Sequence, residues 1–301
     1  MANSYTDIVK TCLDSESIKY WKEWKVRSSA CFENKVKHND SNTSIFLKVA
    51  NDRRQNIIGL NNLPVILTEK NFWEKLVVCL ASSQSPSGEN SVIQHLACAN
   101  HPLLDPSSQI YKYEIKVEND PIDVVERYVL SVNATKGKKK IRYTKKLSSF
   151  ILESWIILFK YGWIKFFLSQ LNFVYSKIPY LTCEEVRANE LLIISMLKIL
   201  PGVGPKQARN ILQYLGISQK VIPIDSRWCG LLEDRRSFSK NPDENFLKII
   251  NKIKSKDIAQ LLQQENNYCI LEEFLLSICM TLDVEPYLLD AMMFSSHRDK
   301  T

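Results

Sequence analysis

Leu200 to Trp228 reads LPGVGPKQARNILQYLGISQKVIPIDSRW. Its first seven residues, Leu-Pro-Gly-Val-Gly-Pro-Lys, form the turn of a helix-hairpin-helix. Gly202 and Gly204 can take backbone angles closed to other residues and let the main chain approach a ligand closely. The next helix, predicted over Pro205–Leu215, begins at once. Its unpaired first-turn amides and the positive end of its dipole therefore face that ligand. A DNA phosphate suits such a site. Ala208, Ile211 and Leu212 share the face that packs on the preceding helix, predicted over Glu184–Leu200, and Gly216 stands where a C-terminal cap is expected. The hairpin as a whole covers residues 188–216. Gly202, Val203, Gly204 and Gln207 are expected on the DNA backbone. The bland alternative is an ordinary helical turn with two glycines, and hairpins of this kind also occur in proteins that only hold DNA.

Two side chains in the same stretch can carry chemistry. Lys206 lies in the first turn of the second helix, where the dipole and local dehydration oppose its charge and favour the free amine. Asp225 follows an apolar, proline-containing approach, Val221-Ile222-Pro223-Ile224, an odd setting for a surface charge. Breaking an N-glycosidic bond builds positive charge on the sugar. A fixed carboxylate stabilises that charge, and an amine can capture C1′ as a Schiff base. The alternatives are a phosphate-pairing lysine for Lys206 and a helix N-cap for Asp225; a cap and a catalyst are compatible roles.

Working outward, the 301 residues include 45% hydrophobic and 24% charged positions with a net charge of +7, a globular composition whose basic excess suits a polyanion. Glycine is scarce, with 8, which disfavours a Gly-punctuated sandwich or barrel. The eight cysteines form no CxxC pair, so neither a zinc site nor a secreted disulfide framework is expected. They read as reduced thiols of an intracellular protein, cytoplasmic, nucleoid-associated or nuclear. The N-terminus has no signal pattern, and the most apolar stretch, Phe150–Ile178, is broken by Glu153, Lys160, Lys165 and Lys177, so no membrane partner is expected.

Residues 1–65 are expected to be an N-terminal extension without assigned chemistry, and 66–301 the main domain. Asn71 followed by Glu74 predicts a capping box at a helix that buries FWEKLVVCL and stops at Ser82-Ser83-Gln84-Ser85-Pro86-Ser87-Gly88. Helices are further predicted over Asp120–Val132, Lys146–Ser176, Asn245–Leu262, Leu271–Leu282 and Pro286–Phe294. No run of alternating strands appears after residue 68, so the class is mainly α. Lys136–Lys146 carries seven cations in eleven residues and reads either as a phosphate-contacting patch or as a solvated loop.

The glycine/proline-rich hairpin with Lys206, followed by Pro-x-Asp at Asp225, resembles the helix-hairpin-helix (HhH-GPD) DNA glycosylase superfamily over residues 68–296. That resemblance implies a two-subdomain helical fold with the active-site cleft between the subdomains. It marks Lys206 as the nucleophile of a bifunctional glycosylase and abasic-site lyase, and Asp225 as its catalytic carboxylate. Ser82–Glu89 around Gln84, Arg142-Tyr143-Thr144-Lys145-Lys146, and Asp290-Ala291-Met292-Met293-Phe294 resemble 8-oxoguanine glycosylases of the archaeal GO type. In that type a polar residue at Asp290 reads the guanine edge and an aromatic at Phe294 stacks on the base. Residues four apart share a helix face, and a carboxylate accepts both N–H donors of that edge. Otherwise Phe294 is core and Asp290 a solvated helix residue. Gln84 either contacts the base or fills the gap it leaves. Many members have His two residues after the aspartate; here Arg227 stands there, expected on the DNA backbone. The four-cysteine C-terminal cluster of some members is absent, so no iron–sulfur cluster is expected. The resemblance implies no organic cofactor and a monovalent cation on hairpin carbonyls, with no other metal. It also implies damaged double-stranded DNA as partner and a monomer. The rival expectations are a same-fold glycosylase for another damaged base and a non-catalytic DNA-binding module.

Overall fold

A computed structural model gives the architecture. It describes residues 10–37, 67–84, 96, 101–112, 120–133, 140–177, 182–218, 220–255 and 257–297. Among these the regular elements are helical and no strand occurs, so the chain is mainly α. It divides into two compact units: Gln55–Ile217, and Met1–Arg54 together with Ser218–Thr301.

The first-named unit is built on three helices from its N-terminal half and four that follow: α2 (Glu69–Gln84), α3 (Gln109–Lys112), α4 (Pro121–Asn133), α5 (Thr144–Trp155), α6 (Trp163–Lys177), α7 (Cys183–Leu197) and α8 (Pro205–Tyr214), α1 belonging to the other unit. Helix α2 is apolar on most faces and buries Phe72, Trp73, Leu76, Val77, Cys79 and Leu80 completely. It can do so because α5, α6 and α8 all pack against it. Its cap differs from expectation. Thr68 Oγ1 accepts the Asn71 amide at 3.2 Å, and Phe72 N–H bonds the Thr68 carbonyl, so Asn71 lies inside the first turn. Both residues are good caps; the earlier one sits at the start that the backbone bonds select.

Helices α4 and α5 pack side by side. Asn133 holds both sides of their connection: its Oδ1 accepts the Ile141 amide at 2.7 Å and its Nδ2 donates to the Ile141 carbonyl at 3.1 Å. The helical stretch predicted over Lys146–Ser176 is interrupted. A π turn over Ile156–Lys160 ends with Tyr161 N–H on the Ile156 carbonyl, and Gly162 then takes φ +76° before α6 begins.

The other unit contains α1 (Ser15–Lys37), α9 (Ser226–Leu232), α10 (Glu244–Lys254), α11 (Ile258–Gln263), α12 (Glu265–Leu282) and α13 (Pro286–His297). The N-terminal stretch therefore contributes a long helix, capped reciprocally by Asp14 and Ser17. Ser17, Tyr20, Trp21, Trp24 and Ser28 share its buried face, which packs on α12 and α13. Trp21 Nε1 donates to the Ser237 carbonyl at 2.7 Å, and Lys25 Nζ to the Leu282 carbonyl at the end of α12 at 2.6 Å, a cation where a helix dipole is negative. The amphipathic stretch predicted over Asn245–Leu262 is two helices, α10 and α11; Phe246, Ile249, Ile250 and Ile253 form the buried stripe of the first, as their spacing predicts. Among the described residues no helix is long and apolar enough to cross a membrane.

The charge is unevenly shared. Gln55–Ile217 carries nineteen Lys and Arg against thirteen Asp and Glu, whereas the rest of the chain has twenty-one against twenty. Nearly all of the basic excess thus falls in the unit that contains the hairpin.

Candidate functional site

The hairpin lies within Gln55–Ile217. Helix α7 starts on a capping box in which Thr182 Oγ1 accepts the Glu185 amide and Glu185 returns to the Thr182 amide at 2.8 Å. It ends in a tight turn, with Leu200 N–H on the Leu197 carbonyl and Val203 N–H on the Leu200 carbonyl. Gly202 takes φ +78° there, and a Cβ at that position would lie 2.4 Å from Cδ2 of Phe150. Glycine is thus required twice, by its backbone angle and by the ring lying against it. Val203 is buried and plugs the turn.

Gly204 is the extended N-cap of α8, Pro205 its first residue and Lys206 its second. Proline there gives up an amide that the helix would orphan in any case, and the amides of Lys206 and Gln207 follow it in the first turn. The Lys206 side chain is half-buried. Gln207 is turned inward: its side-chain oxygen accepts the Cys79 thiol at 2.9 Å and the Asn210 amide at 3.4 Å, so its part in any anion site is its backbone N–H. Arg209 is wholly buried and donates to the Pro205 carbonyl at 3.1 Å, bracing the first turn from below. Ala208, Ile211 and Leu212 are fully buried, and Gly216 closes the helix at φ +75° with Ile217 N–H on the Leu212 carbonyl, the cap expected.

Lysine reaches this turn from α5. Lys146 Nζ stands 5.6 Å from the centre of the Phe150 ring, the ring that touches Gly202. Tyr143, just before α5, is an exposed non-glycine residue at φ +52°, flanked by exposed Arg142 and Lys145. Lys136–Lys139 lie outside the described residues. A monovalent cation needs oxygen donors, and the turn offers the Leu197 and Leu200 carbonyls, each using one lone pair on an amide and keeping a second. Such a donor set fits a weakly held hard cation. Among the described residues no group of three His, Cys, Asp or Glu could hold a metal ion.

Asp225 belongs to the other unit. The residues leading to it, Val221, Ile222 and Ile224, are fully buried and lie outside any helix. Ile222 N–H donates to Glu272 Oε1 at 2.8 Å, and Ile224 N–H donates to the Tyr268 hydroxyl, which returns a bond to the Ile222 carbonyl at 3.2 Å. The alternate amides of Ile222 and Ile224 thus both meet α12. Pro223 occupies the intervening position and has no amide to leave unpaired. Tyr268 and Glu272 are four apart on one face of α12, and both are completely buried.

Held by this clamp, Asp225 caps α9. Its Oδ1 accepts the Arg227 amide at 2.9 Å, and the Arg227 guanidinium engages both carboxylate oxygens, Nε lying 3.1 Å from Oδ1 and 2.9 Å from Oδ2, with Nη2 bonding Oδ2. Asp225 and Arg227 side chains are 13% and 25% exposed, so this charge pair is partly withdrawn from water. Asp290 on α13 is tied to the same short helix through Trp228 Nε1, at 3.4 Å. The unit therefore gathers Asp225, Arg227 and Asp290 around α9. Phe294 lies in α13 and Gln84 ends α2, but both side chains fall outside the described residues. Burial pushes the Cys229 thiol beneath Asp225 up to about 12, with the carboxylate adding to the effect.

Sequence reading missed the Tyr268–Glu272 clamp, the Phe150 ring against Gly202 and the partner of Asp225. A signal for the first was present: of the adjacent acids Glu272 and Glu273, Glu272 shares a helix face with Tyr268 in an otherwise apolar stretch, where a buried acid needs a partner. No protein-family model, curated protein or solved structure matches the chain.

Proposed function

We propose that the protein is a helix-hairpin-helix DNA glycosylase with abasic-site lyase activity, acting on oxidised guanine, 8-oxoguanine first, in damaged duplex DNA. The observation that carries this reading is the hairpin turn. Gly202 at φ +78°, with Phe150 against it, presents the amide end of α8 and sets Lys206 in its first turn. Support also comes from the basic excess of the same unit and from a clamped carboxylate with an unusual amount of structure behind it.

In this reading the two units are the two subdomains of the HhH-GPD fold. A DNA phosphate takes the first-turn amides of α8, with Gly202, Val203 and Gly204 shaping the approach. The target base is flipped out; Phe294 stacks on it, Asp290 accepts its two edge N–H groups, and Gln84 serves the base or the gap. The C1′–N9 bond breaks with its electron pair leaving on the base. Asp225 stabilises the positive charge developing on the sugar. The amine of Lys206 bonds to C1′ and passes a proton to the departing base; the nitrogen lone pair then forms the iminium as the C1′–O4′ bond breaks, its electron pair going to O4′, which takes a proton from water. Loss of a C2′ proton then expels the 3′ phosphate, and water releases the lysine. Arg227 holds Asp225 in place. A monovalent cation on the Leu197 and Leu200 carbonyls would brace the turn and supplies no chemistry.

The test is borohydride trapping on a duplex with one 8-oxoguanine. The wild type is expected to give a covalent adduct that Lys206→Gln loses while still binding the duplex. Asp225→Asn is expected to slow base release and to keep trapping on a preformed abasic site. DNA binding with no adduct on any lesion would leave a non-catalytic binding module. An adduct with an alkylated purine duplex alone would move the substrate to another base.

A further inference from the structure

Helix α6 carries an exposed aromatic face that the hairpin chemistry does not use. Trp163 is 44% exposed, Phe166 52% and Phe173 59%, and Tyr161 just before the helix is 67% exposed. Positions 163, 166 and 173 follow helical spacing, so the three rings form one outward stripe, while Ile164, Phe167, Leu171 and Val174 take the buried face. Trp163 and Phe166 already meet edge to face, with ring centres 6.5 Å apart. Along the axis the first two rings are about 4.5 Å apart and the last two about 10 Å. The π turn and Gly162 at φ +76° re-aim the chain here, which brings Tyr161 and Trp163 to the surface.

The chemistry of the stripe selects among partners. No Asp or Glu occurs between Glu153 and Glu184, whereas Lys160, Lys165 and Lys177 do, and Lys160 and Lys165 are exposed beside the rings. Between Trp163 and Phe173 the other exposed positions are Lys165 and Ser169. A membrane-lying helix or a protein interface also uses aromatics but needs a broad apolar face, and here Ile164, Phe167, Leu171 and Val174 are spent on the buried side, leaving a narrow file outside. A single file of flat rings flanked by cations and no acid suits bases that are already unstacked, with their phosphates on the lysines.

We propose that the Tyr161–Trp163–Phe166–Phe173 stripe is a second nucleic-acid surface, which binds single strands by stacking unpaired bases and pairing their phosphates with Lys160 and Lys165. This goes beyond the glycosylase reading and does not depend on it.

The test is fluorescence anisotropy of the full-length protein with labelled dT20 and, separately, a blunt duplex. The variants are Trp163→Ala/Phe166→Ala, the ring-keeping Trp163→Phe, and Lys160→Ala/Lys165→Ala. The aromatic pair is expected to weaken dT20 binding about tenfold or more at an unchanged salt slope. Trp163→Phe is expected to retain most of the affinity. The lysine pair is expected to lower the salt slope by about 0.7 per phosphate contact. Duplex binding should be unaffected in all three. Circular dichroism confirms folding, which substitutions at exposed positions leave intact. Absence of dT20 binding by the wild type, or equal affinity in the aromatic variant, overturns the proposal. So does loss in that variant of binding to phosphatidylcholine–phosphatidylglycerol vesicles, or of a dimer seen by sedimentation, with dT20 affinity retained; these results would assign the face to a membrane or a second copy.

Discussion

Gly202→Ala places a methyl group where two separate costs meet. The backbone there is at φ +78°, and an L-residue held in the left-handed region loses about 1–2 kcal/mol. The added Cβ would also stand 2.4 Å from Phe150 Cδ2 and 2.8 Å from Cγ. The near atoms belong to the body of a ring rather than to the end of a flexible chain, so relief requires Phe150 to rotate or α5 to shift, a cost of about 1–3 kcal/mol by analogy with overpacked cores. Against a domain stability of about 5–15 kcal/mol this is a large fraction. Urea titration followed by circular dichroism measures it. The steric share can be isolated by repeating the substitution in a Phe150→Ala background, where the ring is gone and the backbone strain remains. Gly202→Ala should then cost about 1–2 kcal/mol, leaving a coupling of about 1–3 kcal/mol between the two sites. Duplex affinity should fall with Gly202→Ala and recover in part in the double variant. Strict additivity of the two substitutions would refute the contact and, with it, the steric half of the case for glycine in the turn.

Tyr268→Phe removes the hydroxyl that takes the Ile224 amide and should cost about 1–3 kcal/mol by urea titration, because a buried donor is left unsatisfied; a change within error would mean that water replaces it. Arg227→Gln should slow base removal more than trapping on a preformed abasic site, and should leave the salt slope of duplex binding unchanged because the guanidinium is engaged on Asp225. A slope lower by about 1 would place Arg227 on a phosphate instead. Burial pushes the Cys12 thiol up to about 11 and Cys229 to about 12, from 9.0. Folded-state values above the unfolded one keep these thiols protonated, so their contribution to stability is complete below pH 9 and is lost as pH rises toward 11–12. The urea midpoint should fall over that window, less so in Cys229→Ala, and at neutral pH a thiol reagent should modify exposed Cys183 before Cys12 or Cys229. Equal rates for the three would contradict the burial.

What the sequence shows and hides follows the range of the interaction. The turn of the hairpin, the Gly216 cap and the stripe of α10 are local patterns, each complete within a dozen residues, and each is found where the spacing predicts it. The cap of α2 fails because Thr68 and Asn71 are equally good locally and the backbone start decides between them. The face of α1 is invisible for another reason. Its Trp21 and Trp24 are mixed with lysines, and the partners that make them core, Phe274 and Trp228, are over two hundred residues away. Gln207 has a phosphate-reading side chain by position, yet the Cys79 thiol on α2 claims it. Asp225 is legible as an anomalous acid with its partner Arg227 two residues on, but Tyr268 and Glu272, which clamp the residues leading to it, lie on α12, some forty residues further on.

Holding a polyanion and doing chemistry on it place opposite electrostatic demands on a protein. Phosphate affinity grows with every uncompensated cation and is spread over a surface. A carboxylate that must meet developing positive charge has to keep a fixed position and an acceptor ready, which calls for few, rigid, satisfied contacts. Under the proposed function the chain would divide these demands by segment. Gln55–Ile217 holds nineteen bases against thirteen acids, together with the hairpin, whereas the near-neutral remainder holds Asp225 on a buried clamp in which the approaching amides are matched to Tyr268 and Glu272 and the one amide-less position is proline. Under the proposed reading Lys206 is the exception, an amine of the reaction set within the basic segment. There the buried Arg209, bonded to the Pro205 carbonyl, supplies rigidity that surface lysines lack. Substitutions should separate accordingly: those at Lys145 and Lys146, exposed at the start of α5 whose Phe150 touches the hairpin, act on duplex affinity and its salt dependence, and those at the clamp act on turnover at unchanged affinity.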